Sequence, residues 1–402
     1  MVSLADIRAA EKRIFGHVIR TPLVFSPSLS ARTGARVCLK LESLQKAGSF
    51  KVRGATNKIL VNTAAAREHG VVAASAGNHA QGVAVAAHSA GVRATIVMPV
   101  WASLAKQEAT RAYGAEILLK GSSLEESIVR AGALAREGRL FIHPYDDEEV
   151  IAGQGTIGTE ILDDLPDTGT IIVPVGGGGL AAGIATAAKA LKPGIRIIGV
   201  QAAASPSLFA SVAAGSPVRV GAQPTIADGI RVAETGALTF PVLKKLIDDV
   251  VLVSEEEIAD AILLLLERKH IVAEGAGAAP LAALLSGRVK IPSESTVVPV
   301  ISGGNVDSPQ LFRIVRQAMA RQGRILHFSV MLDDRPGALA GLISVIAEQG
   351  GNIVSIHHAQ GEGDVPLMMA RVEIELEARG KDHAGAIEGA VTTAGYRMDR
   401  FQ

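Results

Sequence analysis

The chain of 402 residues has little of several things that would each have signalled a function. Its single cysteine, Cys38, excludes an intramolecular disulfide, so nothing points to an oxidising compartment. Aromatic residues make up 3% of the chain, and 40 Lys plus Arg balance 40 Asp plus Glu. Nucleic-acid binding usually needs clustered positive charge, often with stacking aromatics, so that partner is excluded as the main one. Long clean apolar runs are also missing. Val71 to Val92 and Ile171 to Ala188 lack charge over membrane-spanning lengths, but polar residues, Pro174 and glycine clusters interrupt them. They read as buried core, and no membrane partner is expected. The start of the chain lacks a basic segment followed by an apolar one. Ser3 and Asp6 instead form a capping box that opens a helix, so no signal peptide is expected and the expected location is cytoplasmic.

Hydrophobic residues at 48% and charged residues at 20% describe a folded chain, long enough for two or three domains. From about Arg36 to about Arg321, Val- and Ile-rich runs alternate with helical stretches. Runs such as Val71 to Ala74, Ala94 to Pro99, Ile171 to Val175, Ile195 to Val200 and Val297 to Ile301 fit strands covered on both faces. Ala102 to Tyr113, Leu124 to Glu137, Leu180 to Leu191 and Glu255 to Lys269 carry helical periodicity. The order implies an α/β, doubly wound parallel architecture. After Arg321-Gln322-Gly323-Arg324 the pattern becomes βαββαβ, the order of a ferredoxin-like module. The expected division is therefore residues 1–321 and 325–402. The helix bearing Arg313, Arg316 and Arg321 reads as a solvated link between them.

Four segments carry chemistry. Gly176-Gly177-Gly178-Gly179 follows a strand and opens a helix at Leu180, where backbone N–H groups and the helix dipole can hold a phosphate. No Gly-Lys-Ser/Thr follows and Gln201 ends the next strand, so neither a Walker loop nor a dinucleotide site fits. Lys51, in Gly48-Ser49-Phe50-Lys51-Val52-Arg53-Gly54, is a candidate amine nucleophile in a partly desolvated pocket. Lysine and phosphate cradle together suit pyridoxal 5'-phosphate. Ser75-Ala76-Gly77-Asn78-His79 could hold a substrate carboxylate at a helix start; its rival reading is a degenerate hydrolase elbow around Ser75. Ser302-Gly303-Gly304-Asn305 follows a strand, so all four loops should converge at the carboxyl ends of a parallel sheet.

Taken together, these segments resemble the serine/threonine dehydratase family of fold-type II (tryptophan synthase β-like) pyridoxal phosphate enzymes. Thr21-Pro22-Leu23, Thr225 to Gly229 and Ala273 to Gly277 support the resemblance, which runs to about Arg321. It implies a smaller subdomain inserted at about residues 45–150. It also implies that Lys51 holds the cofactor aldehyde, Phe50 packs against its ring, Asn78 contacts the ring hydroxyl, Gly176 to Gly179 with Leu180 bind the phosphate, and Ser302 faces the pyridine nitrogen. Ser75, Ala76, Gly77, Asn78 and His79 would hold the substrate carboxylate. The implied reaction is β-elimination from L-threonine to 2-oxobutanoate and ammonia, and from L-serine to pyruvate. Serine dehydration or racemisation and hydroxyaspartate dehydration are the alternatives within the family. Ala76 stands where racemases of the family carry a second serine, and Ser205 and Ser207 stand where metal-dependent members carry acidic ligands; no metal is expected. The C-terminal segment resembles an ACT domain through Leu332 to Leu339 and Gly351-Asn352-Ile353. That resemblance implies an amino-acid effector, allosteric control and a homo-oligomer, dimer or tetramer. A non-catalytic amino-acid sensor is the reading from a different functional class. Amino-acid metabolism, isoleucine biosynthesis included, is the implied setting.

Overall fold

The structure, a computed structural model, describes residues 1–360 and 365–401. Its contacts divide it into two units, Met1–Asp307 and Ser308–Gln402. The first unit holds two sheets. In the larger, the strands Leu23–Phe25, Arg36–Leu41, Thr296–Ile301, Thr168–Pro174, Arg196–Ala202 and Asp249–Val253 lie side by side in that order. All pair in parallel except the first, a three-residue antiparallel edge. In the smaller, Glu116–Leu119, Ala94–Met98, Val71–Ala74 and Leu140–Phe141 form an all-parallel sheet. Every strand of the smaller sheet comes, in the chain, between Arg36–Leu41 and Thr168–Pro174 of the larger.

Physical chemistry explains these elements locally. The central strands are apolar along their length because helices cover both faces: Ile171, Ile172, Val173, Val297, Val298 and Val300 are fully buried. The helix Leu4–Ile14 starts with Ser3 and Asp6 closing a capping box, as the sequence implies. The helix Glu255–Lys269 has a second such box, Ser254 with Glu257, three glutamates in its first turn and Arg268 and Lys269 in its last, matching the helix dipole at both ends.

The second unit contains a four-stranded antiparallel sheet in the order Asn352–Gln360, Met369–Glu377, Ile325–Asp333, Met398–Arg400. Helices Ala338–Glu348 and Lys381–Thr393 complete the βαββαβ order. Leu326, Phe328, Val330, Leu332, Val372, Ile374 and Leu376 form its core with residues of these helices. The helix Ser308–Arg321 belongs to this unit and is not a solvated link. It packs on strand Ile325–Asp333, with Ile314 and Ala318 buried, and Arg316 pairs with Glu375 at 2.6 Å.

Candidate functional site

The four segments meet in the first unit. The helix Lys51–Val61 begins where its chain touches the loop after strand Thr296–Ile301: Phe50 N–H donates to the Ser302 carbonyl at 3.1 Å, and Ser49 and Gly303 form an isolated β-bridge. The helix Asn78–Ala90 closes on the same point, so that a Cβ at Gly82 would lie 3.0 Å from Lys51 backbone and side-chain atoms. Asn305 Nδ2 donates to Asn78 Oδ1 at 2.8 Å, joining the second and fourth loops directly.

Burial determines the chemistry of Lys51. Its Nζ donates to the Pro144 carbonyl at 2.7 Å and lies 5.1 Å from the centroid of the Phe50 ring. Desolvation brings the ammonium down to about 8, partly opposed by the charge of Glu274. The neutral amine is therefore within reach at physiological pH. His79 is buried with its Nε2 2.8 Å from the Ile142 carbonyl. Because a carbonyl only accepts, Nε2 carries the proton; burial and then the Lys51 charge push the ring down to about 3. Ser75 Oγ accepts from Gly77 N–H at 3.1 Å, and with His79 turned to Ile142 the hydrolase reading has no base beside this hydroxyl. A Cβ at Gly77 would meet nothing within 4 Å, so the loop faces open space.

The glycines of the tetraglycine turn also make room for neighbouring residues. A Cβ at Gly177 would fall 2.4 Å from the Tyr145 ring and one at Gly179 2.8 Å from the Tyr145 carbonyl. Gly178, at φ 100°, caps the helix Gly179–Leu191 in a left-handed conformation and would collide with Thr239 and Leu243. The missing side chains thus admit neighbouring residues. No side-chain hydrogen bond caps that helix start, which leaves its amides for an anion.

Sequence reasoning missed three parts of the site. Glu274 is buried, accepts from Asn78 Nδ2 at 2.6 Å, and precedes the helix Gly275–Leu285; a lone carboxylate before an apolar helix was its signal. The segment His143 to Asp146 links Lys51 to the glycine turn, since Pro144 receives Lys51, Tyr145 covers Gly177, and Asp146 accepts from the N–H groups of Ala237 and Leu238 at 3.0 and 2.8 Å. Nothing in its local pattern announces this. Beneath the lysine helix, Arg53 bonds Glu42 and Glu160, and Lys40 bonds Glu160 at 2.6 Å, all four side chains being buried.

The residues fit pyridoxal phosphate: an amine of lowered proton affinity, an uncapped helix start after a glycine turn, a buried Ser302, an amide of fixed orientation at Asn78, and the buried Ser49 hydroxyl without a partner. Gln201 is used up in the protein, donating to the Val175 carbonyl and accepting from Phe209 N–H at 2.9 Å, while Ser205 donates to Val232. Among the described residues no cluster of three or more His, Cys, Asp or Glu could hold a metal, and no helix is long and apolar enough to cross a membrane.

Comparison with known proteins adds four findings. Residues 14–303 match the family model for pyridoxal-phosphate dependent enzymes. An L-threonine ammonia-lyase of Thermotoga maritima is 46% identical over 399 residues, 99% of each chain. Among solved structures, threonine deaminase isoform 2 of Solanum lycopersicum superposes with a TM-score of 0.74 at 38% identity, covering 78% of this chain and 92% of that one. A maize serine racemase has the same TM-score and identity, covering 80% and 98%.

Proposed function

The chain belongs to the pyridoxal-phosphate dependent enzymes, and from that premise we infer that its activity is that of an L-threonine ammonia-lyase, converting L-threonine to 2-oxobutanoate and ammonia. L-Serine, giving pyruvate, is the secondary substrate. The observation that carries the reading is Lys51: a desolvated amine on a half-buried side chain, held by the Pro144 carbonyl, on the same loop junction as Ser302 and Asn78. Similarity to the Thermotoga maritima enzyme along the whole chain supports the choice of reaction. The maize racemase favours racemisation as a second reading. Ala76 argues against it, since a methyl group packed against the smaller sheet's core can neither give nor take a proton.

Pyridoxal phosphate, when bound, supplies an aldehyde that condenses with an amine and a ring that delocalises the charge left by a departing α-proton. This chain does the rest. Lys51 Nζ would hold the aldehyde, and its free amine would be the group that takes the substrate's α-proton. Its position at the start of a helix keeps it within reach, and desolvation keeps it basic without leaving it fully charged. Phe50 would pack beside the ring, Asn78 would contact the ring hydroxyl, and Ser302 would face the ring nitrogen. Amides of Gly176 to Gly179 and Leu180 would bind the phosphate, and the Ser75 to His79 loop, facing open space at Gly77, would bind the substrate carboxylate.

The second unit serves as an ACT-type regulatory module in this reading. Its βαββαβ order supports it, as does an open groove of about 390 Å³ lined by Leu332 to Leu339, His358 and Gln360, where an amino-acid effector would bind. A cytoplasmic homo-oligomer, dimer or tetramer, in amino-acid metabolism such as isoleucine biosynthesis completes the proposal.

The test is the visible absorbance of the purified protein with pyridoxal phosphate, followed by L-threonine while 2-oxobutanoate is measured, beside Lys51→Ala. A band and keto-acid formation in the parent, both lost in the variant, are expected. A colourless, inactive parent would overturn the assignment and favour an amino-acid sensor.

A further inference from the structure

The carboxyl group of Glu274 has no part in the chemistry above, yet the crevice is built around it. Its N–H donates to the Gly303 carbonyl at 3.1 Å, tying the start of helix Gly275–Leu285 to the loop after strand Thr296–Ile301. The side chain turns inward, and Oε1 accepts from Asn78 Nδ2 at 2.6 Å. Glycines on two loops make room for it: a Cβ at Gly303 would lie 2.4 Å from Oε1 and one at Gly229 3.5 Å away. Asn305 holds the other side of the same amide, donating from Nδ2 to Asn78 Oδ1 and to the Ala47 carbonyl, each at 2.8 Å. Asn78 is therefore locked. Flipping its amide would set N–H against N–H at Asn305 and oxygen against carboxylate at Glu274.

Resting on the cofactor reading above, we propose that Glu274 is a positioning residue with two roles. It fixes the face that Asn78 offers the cofactor ring, and its buried carboxyl is the group of this crevice that gains and loses a proton. The charged groups acting on it are Asp228 from the segment Thr225 to Gly229, Lys106 from helix Leu104–Ala112, and Lys51. Helix Asn78–Ala90 contributes Asn78, its His79 being turned to Ile142; Ser302 to Asn305 contain no titratable side chain. Burial pushes the Glu274 carboxyl up to about 7, against the Asn78 hydrogen bond, with Asp228 adding to the rise and Lys106 and Lys51 opposing it. The influence is mutual, because Glu274 raises the proton affinity of Lys51.

Glu274→Gln separates the two roles, because the amide oxygen still accepts from Asn78 but cannot titrate. The expected result is pyridoxal phosphate affinity within about tenfold of the parent, with loss of the transition at about 7 from the pH dependence of that affinity, of the visible band and of kcat. Glu274→Ala removes both roles and should weaken cofactor binding by about ten- to a hundredfold, the weight of one hydrogen bond to a charged group. A Gln variant with the parent's pH dependence would overturn the proposal. Infrared difference spectra of the cofactor-free protein give an independent readout: the parent should show a carboxyl band titrating at about 7 that Glu274→Gln lacks, and its absence overturns the titration. A parent that shows the band but binds no pyridoxal phosphate would sink the cofactor reading instead, leaving the buried carboxyl as found.

Discussion

At the scale of single residues, burial sets the behaviour of nearly every group that matters. Arg53 is fully buried and spends its guanidinium on Glu42 and Glu160, with Thr156 and the Ile19 carbonyl completing its bonds. Such a cluster adds little net stability when whole but leaves uncompensated charge when broken. Arg53→Met should therefore cost about 3–5 kcal/mol, measured by urea unfolding. It should also lower kcat, because this cluster anchors the helix that Lys51 begins. Two desolvated histidines, His79 buried and His143 half-buried, give a pH prediction. Burial holds His79 at about 3 and His143 at about 4, both below the ordinary 6.5. A folded-state value below the unfolded one means stability that is present above 6.5 and lost as pH falls toward the folded values. Each such group contributes a slope of up to about 1.4 kcal/mol per pH unit. Between 6.5 and about 4, His79→Gln should lose less stability than the parent in paired urea titrations; equal slopes would mean that the ring titrates normally.

At the scale of elements, two glycine-bearing turns of similar sequence character do different jobs. Gly177 is pressed against Tyr145 at a distance no Cβ tolerates, whereas Gly77 faces empty space. Gly177→Ala should cost about 1–3 kcal/mol by overpacking and weaken cofactor binding, because Tyr145 or the turn must move. Gly77→Ala should leave stability within about 0.5 kcal/mol and instead raise the KM for L-threonine. Thermal unfolding with steady-state kinetics on both variants checks the contrast; a destabilised Gly77→Ala would contradict it. The strand-turn-helix punctuation of these loops was legible because it is local: apolar run, glycines, helical periodicity. The edge Leu23–Phe25 was not, since three residues carry no period. The role of His143 to Asp146 was equally hidden, for it consists of contacts to Lys51, Gly177 and the chain at Ala237 and Leu238, all distant along the sequence.

At the scale of the whole molecule, each unit has its own core, Ile171, Val173 and Leu180 among the residues of one and Phe328, Val330 and Ile374 of the other. A chain ending at Asp307 should accordingly fold, bind pyridoxal phosphate and turn over L-threonine, while losing any response to amino-acid effectors. Activity assays with and without a panel of amino acids on both lengths decide this. An inactive but folded short chain would show that the second unit supports catalysis directly. The alternation of buried strands and capped helices, and the singling out of Lys51, the glycine turn and Ser302 as candidates, came from the sequence alone, because periodicity, capping and turn chemistry act over a few residues. Only the tertiary structure decided that Glu274 and Asn305 clasp Asn78 and that Pro144 receives the lysine. It also decided that the helix Ser308–Arg321 belongs with the second unit. Each of these depends on burial and on partners far apart in the chain, and both come into being only when the sheets and helices pack.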